Sequence, residues 1–280
     1  MRLGYNTNGF ANHPWETALR LVAEIGYESV AVTLDHHCLD PFAPSFHDER
    51  ERLRRVLAEL RLGCVIETGA RFLLDPRRKH EPTLVSPSSE ERNRRVAFLN
   101  RAIDTAADVG AEAVSLWAGV VRDGAPEEIA FERLCDGLSR VLEHAEKRQV
   151  RIAFEPEPGM LVETMDQFAR LAEQLPSPWL GLTVDVGHVH CVDNMSIPDC
   201  LRAWRDRVWN IHIEDMRRGI HEHLMFGEGE IDFPPVFAAL REIGYAGGVH
   251  VELSRHSHLA PEAARTSYEF LRHAERVSVP

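Results

Sequence analysis

The feature that most constrains this chain is an alternation: short apolar or β-branched runs take turns with longer amphipathic stretches across all 280 residues. The runs Leu3–Asn6, Ser29–Leu34, Cys64–Thr68, Ala113–Trp117, Arg151–Glu155, Gly181–Asp185, Val208–Ile213 and Gly248–Leu253 read as strands. The stretches near 14–25, 48–61, 88–109, 126–148, 164–175, 197–206, 234–243 and 261–275 read as helices. A strand followed by a helical crossover pairs in parallel with the next strand, and eight such units favour a closed (β/α)8 barrel over an open doubly wound sheet. The first turn, Gly4-Tyr5-Asn6-Thr7-Asn8-Gly9-Phe10, lacks the G-x-G-x-x-G spacing of dinucleotide-binding folds. No linker or change of composition interrupts the pattern, so the expectation is one α/β domain over residues 1–280.

Local punctuation agrees. Pro14, Pro126 and Pro261 fall at first helical turns, and Gly26, Gly63, Gly110 and Gly244 fall just past helix ends, where positive φ is expected. Ser88-Ser89-Glu90-Glu91 and Thr164-Met165-Asp166-Gln167 read as N-caps, the second with a capping-box glutamine. Met1 leads directly into a strand and no apolar run approaches the ~18 residues of a membrane span, so a soluble, cytoplasmic protein is expected. The five cysteines are scattered, with no C-x-x-C pair, and are expected as free thiols. A net charge of −12 repels nucleic acid at long range, although a local basic groove would escape this argument.

In such a barrel the active site lies at the carboxyl ends of the strands. The last four strands end in Ala153-Phe154-Glu155-Pro156-Glu157, Thr183-Val184-Asp185-Val186-Gly187-His188, Asn210-Ile211-His212-Ile213-Glu214-Asp215 and His250-Val251-Glu252-Leu253-Ser254. A lone carboxylate there reads first as a helix cap or ion-pair partner. Four candidates at consecutive strand ends, Glu155, Asp185, His212 and Glu252, read instead as ligands of one divalent ion, because three converging carboxylates need a cation among them. The donor set suits Mn²⁺, Co²⁺, Mg²⁺ or Zn²⁺. Glu155 is preferred over Glu157 because it continues the Ile152-Ala153-Phe154 run.

Phe154-Glu155-Pro156-Glu157-Pro158-Gly159, Val184-Asp185-Val186-Gly187-His188, Ile211-His212-Ile213-Glu214-Asp215, Phe226-Gly227-Glu228-Gly229-Glu230-Ile231-Asp232-Phe233, and Gly244-Tyr245-Ala246-Gly247-Gly248 leading to Val251-Glu252 carry a family likeness. In their order and spacing the chain resembles, over essentially its whole length, the xylose-isomerase-like (AP-endonuclease-2-like) TIM barrels, which include sugar and sugar-phosphate isomerases and epimerases. The resemblance implies that Glu155 and Glu252 bind metal and act as acid/base groups on opposite faces of the substrate, with Asp185 and His212 completing the coordination. The expected activity is a metal-dependent isomerase or epimerase of a sugar-like polyhydroxy carbonyl compound, moving a proton through a metal-bound enediolate. Expulsion of a leaving group would give a dehydratase or lyase on a keto sugar or inosose. An endonuclease-IV-like phosphodiester hydrolase is disfavoured, because such enzymes carry extra histidines where this chain has Glu67 and Trp117. A barrel that only binds its ligand is disfavoured by the four intact candidate ligands.

Asn6, Asn8, Glu67, Trp117 and Arg255-His256-Ser257-His258 follow strands and are candidates to line the substrate pocket, with turn chemistry or barrel packing as the alternative. The resemblance implies a substrate-contacting arginine beyond His212, and Arg218 matches by spacing better than Arg217. Gly227-Glu228-Gly229 reads as a turn rather than a phosphate loop. The loop from Arg71 to His80 reads as solvated surface, or else as a cover over the barrel mouth that meets a phosphate or carboxylate. His188 is expected to face the substrate cavity, and with His221 and His223 it would hold a possible second metal ion if the three imidazoles converge. The alternatives are a substrate contact for His188 and solvent exposure for the other two. The expected partner is a small sugar-like molecule, with no membrane and no nucleic acid, and a homo-oligomer is left open.

Overall fold

Eight parallel strands close on themselves in the computed structural model, which describes residues 1–278. They are β1 (Arg2–Asn6), β2 (Ser29–Thr33), β3 (Gly63–Glu67), β4 (Val114–Leu116), β5 (Ile152–Phe154), β6 (Leu180–Asp185), β7 (Val208–Ile213) and β10 (Gly248–Val251), and β1 pairs with both β2 and β10. Every residue of β2 and β6 is buried, as a sheet covered on both faces requires. The covering ring is α1 (Trp15–Ile25), α2 (Phe46–Leu60), α3 (Ser89–Val109), α4 (Glu127–Arg148), α5 (Met165–Gln174), α7 (Ile197–Ala203), α8 (Phe233–Glu242) and α9 (Ala260–Val277). Each turns one apolar stripe inward; in α1 it is Ala18, Leu19 and Val22. No helix among the described residues is long and apolar enough to cross a membrane.

The caps form as expected: the Ser88 side chain accepts from Glu91 N–H, and Thr164 and Gln167 complete a reciprocal box. Gly63 departs from expectation. It opens β3, and the left-handed residue ending α2 is Arg61, with φ 55°. The helix expected over 197–206 stops at Ala203, where Trp204 packs its ring on Phe168 at 5.3 Å and a tight turn closes from Arg207 N–H to the Trp204 carbonyl. Among the described residues the five cysteines are free, and all but Cys135 are buried.

Two elements were not anticipated, and both shape the site. A short helix, α6 (Val186–Val192), starts directly from the end of β6. After β7 the chain makes an antiparallel hairpin, β8 (Asp215–Arg217) and β9 (Ile220–Leu224), that stands beside α6 at the barrel mouth. Asp215 folds the segment after the hairpin back, its carboxylate accepting from the N–H groups of Met216, Gly227 and Ile231. Gly227 turns there with φ 91°, and a Cβ on Gly229 would strike the Asp215 carboxylate, so this glycine pair serves the turn.

Candidate active site

A cavity of about 230 Å³ opens at the carboxyl ends of the barrel strands. Alternation along β7 turns Asn210 and His212 inward together. In register, His212 stands between Asp185 on β6 and His250 on β10. Its Nδ1 lies 2.9 Å from Glu155 Oε1, 2.8 Å from Glu252 Oε2 and 4.0 Å from Asp185 Oδ2. One donor atom from each of these four residues lies within 4.8 Å of the others.

The cluster as built calls for positive charge. Burial opposes charge on His212, but Glu155, Glu67 and Glu252 overcome it and hold the imidazole well above its ordinary range. Burial pushes Glu155 up to about 8, against the pull of His212. Burial acts the same way on Glu252, yet His212 wins there and holds it below the usual carboxylate range. Asp185 divides its two oxygens: Oδ1 caps α6 by accepting from His188 N–H at 2.8 Å, while Oδ2 is buried without a hydrogen-bond partner. An orphaned carboxylate oxygen beside two further carboxylates and an imidazole nitrogen fits a divalent cation of the Mn²⁺, Co²⁺, Mg²⁺ or Zn²⁺ kind.

Behind His212, Nε2 lies 2.9 Å from Glu67 Oε1, and the Asn210 amide donates to the same oxygen at 3.1 Å. Asn210 in turn accepts from His250 Nδ1 at 2.8 Å, and His250 Nε2 meets Ser29 Oγ at 2.9 Å. Glu67 therefore borders the cavity with one oxygen committed to orienting the imidazole. Asn210 carries a signal that was overlooked, namely its place two residues before His212 on one strand face.

A second cluster adjoins the first. The ring centroids of His188, His221 and His223 lie 4.7–5.6 Å apart, and one nitrogen from each falls within 4.8 Å of the others. His188 faces the cavity, its Nδ1–H donating to the Pro156 carbonyl at 3.2 Å, which leaves Nε2 buried and unpartnered. Burial pushes His188 down to about 4 and also lowers His221, so these imidazoles are neutral, the form that binds metal. Glu214, two residues past His212, is fully buried near His223 and Asp185, and burial raises it well above the usual carboxylate range. Its sequence signal is the i+2 spacing from His212, which keeps both side chains on one face of the chain.

Asn6, Asn8, Trp117 and Arg255 all line the cavity. Asn6 caps the turn that holds Asn8, and Asn8 Nδ2 donates to Glu252 Oε1 at 2.8 Å. Arg255 is paired with Glu222 at 2.6 Å, while His256 and His258 do not reach the wall. Arg71, Lys79 and His80 do, so the loop after β3 covers the mouth rather than lying wholly in solvent. Arg218 is a correction. It forms, with Gly219, the two-residue turn of the β8–β9 hairpin, and its guanidinium donates to the His190 carbonyl at 2.9 Å on the outer side, away from the cavity.

The model of the xylose isomerase-like TIM barrel family matches residues 19–274. The chain belongs to this family. Among its relatives, the L-ribulose-5-phosphate 3-epimerase UlaE of Shigella flexneri serotype 5b is 28% identical over 251 residues, covering 87% of this chain and 83% of that one. A solved L-ribulose 3-epimerase superposes with a TM-score of 0.78 at 20% identity, covering 99% of this chain and 95% of the other. The IOLI protein, solved with a bound zinc atom, superposes with a TM-score of 0.80 at 20% identity, covering 99% of each chain.

Proposed function

We propose that this chain is a divalent-metal-dependent epimerase or isomerase of a keto sugar or similar polyhydroxy carbonyl compound. The observation that carries the reading is the placing of two carboxylates, Glu155 and Glu252, at 2.9 and 2.8 Å from His212 Nδ1 within one small polar cavity. Glu155, Asp185, His212 and Glu252 would hold the metal. When bound, it would polarise a substrate carbonyl and stabilise the negative charge that develops as the neighbouring C–H is broken.

The chain's own groups supply the rest. Glu252, steadied through Oε1 by the Asn8 amide, is placed to take the proton from the carbon beside the carbonyl. Glu155, the second carboxylate of the pair, would deliver a proton to the other face. Return to the opposite face of the same carbon inverts it, and return to the neighbouring carbon isomerises the sugar. His188 faces the space between, where its unpartnered Nε2 would take a second metal ion, or a substrate hydroxyl where that ion is not bound. The names of the relatives support the substrate class: one acts on L-ribulose 5-phosphate and one on L-ribulose. Glu67 ends β3 and Trp117 follows β4, and both line the cavity, which favours sugar chemistry over phosphodiester cleavage.

The convergence of His188, His221 and His223 favours a second metal ion beside the first, with one nitrogen from each imidazole as donor. Solvent exchange tests the main reading. In deuterated water the metal-loaded protein should place deuterium at the reacting carbon of a ketopentose, whereas turnover without label would overturn the proton-transfer mechanism in favour of hydride transfer.

A further inference from the structure

The cavity is charged oppositely at its two ends. Its floor carries Glu155, Glu157 and Glu252, and its rim on the β3 side carries Arg71 and Lys79, for which no ion pair forms among the described residues. Their neighbour Arg78 shows the contrast, neutralised outside the cavity by Asp75 at 2.8 Å and Glu91 at 2.6 Å.

The rim is built rather than loose. Ala70 and His80 both hold left-handed backbone, at φ 46° and 67°, without being glycine. Such strain persists only where surrounding contacts over-determine it, and it recurs at ligand clamps. Here His80 N–H donates to the Arg71 carbonyl at 2.5 Å, and His80 Nδ1–H to the Gly69 carbonyl at 2.7 Å. Behind this wall Arg95 is fully buried, its guanidinium 4.4 Å from the centre of the Trp117 ring and donating to the Thr68 carbonyl at 2.8 Å. Its Nη1 has no partner, an uncompensated buried donor that adds to the positive field of the rim.

Rim and floor are joined through a single residue. Arg71 Nη2 donates to the Asn8 carbonyl at 2.9 Å, and the Asn8 side chain holds Glu252. A short polyol chain with its carbonyl end among the carboxylates would share its cavity with Arg71 and Lys79, which line the same space.

We infer that this rim binds a phosphate monoester on the substrate end remote from the reacting carbon. Arg71 offers a fork of N–H donors to the phosphate oxygens, and Lys79 an adjustable point charge. The inference rests on the keto-sugar reading and narrows it to phosphorylated sugars.

Ribitol and ribitol 5-phosphate test it by calorimetry, because neither has a carbonyl and binding is read without turnover; failure of the epimerase reading leaves this result standing. Wild-type protein should bind ribitol 5-phosphate at least tenfold more tightly than ribitol. That preference should fall at least fivefold in Arg71→Gln and in Lys79→Gln; Lys79 is exposed, so its replacement leaves the fold intact. A preference below tenfold in the wild type, absence of binding by either polyol, or a fall of less than fivefold in both variants overturns the inference.

Discussion

Glu67 holds His212 from behind: its Oε1 lies 2.9 Å from Nε2, the ring nitrogen that faces away from Glu155 and Glu252. The carboxylate thereby presents the opposite nitrogen, Nδ1, to the cluster. Outer partners of this kind contribute about 10–100-fold to metal affinity. Glu67→Gln should weaken divalent-metal binding by that order while leaving the fold intact, as read by metal titration and melting temperature. Unchanged affinity would show that Glu67 does not orient the ring.

Loss of the flanking carboxylates should separate metal binding from proton transfer. Glu155→Gln and Glu252→Gln should each abolish turnover, whereas Asp185→Asn and His212→Ala should act mainly by lowering metal occupancy. Turnover measured beside metal content distinguishes the two. Near wild-type turnover in both glutamine variants, with full metal, would make the acid/base assignment wrong.

The imidazole trio predicts stoichiometry. Elemental analysis of purified, metal-loaded protein should give two ions per chain, falling to one in His221→Ala/His223→Ala. A value of one that the double substitution leaves unchanged would rule out the second ion.

His80 predicts a pH effect on stability away from the metal cluster. Burial lowers its folded-state pKa to about 4, against 6.5 for the exposed side chain. The unfolded chain therefore takes up this proton first, so stability is retained above about pH 6.5 and lost progressively as pH falls toward 4, by on the order of 3 kcal/mol. His80→Asn preserves a donor for the Gly69 carbonyl and removes the titration. Denaturant unfolding at pH 7 and pH 4.5 should show a smaller drop for the variant, and an equal drop would remove His80 as the cause.

Gly4 lies against the His250 ring, where a Cβ would strike imidazole carbon and nitrogen atoms. His250 cannot yield without breaking its hydrogen bonds to Ser29 and Asn210. Gly4→Ala should therefore destabilise the protein by about 1–3 kcal/mol, the usual cost of overpacking, in equilibrium unfolding.

Much of this protein was legible in its sequence because the signals are local. Strand and helix periods, the Thr164 box and the count of eight units depend on residues within a turn or two of each other, and they define the barrel. The barrel's geometry then sends Glu155, Asp185, His212 and Glu252 to one end, since each closes its own strand. Side chains whose position depends on distant pairing were decided only by the tertiary structure. Whether Arg218 faces the cavity depends on β8 pairing with β9, two strands too short to announce themselves by alternation, and that pairing turns it outward. Arg71 reaches the cavity because the loop after β3 closes on Asn8, and Glu67 turns to His212 across the barrel, contacts between residues 63 and 145 positions apart. No short-range pattern encodes such contacts; they exist once closure of the barrel brings strand ends together.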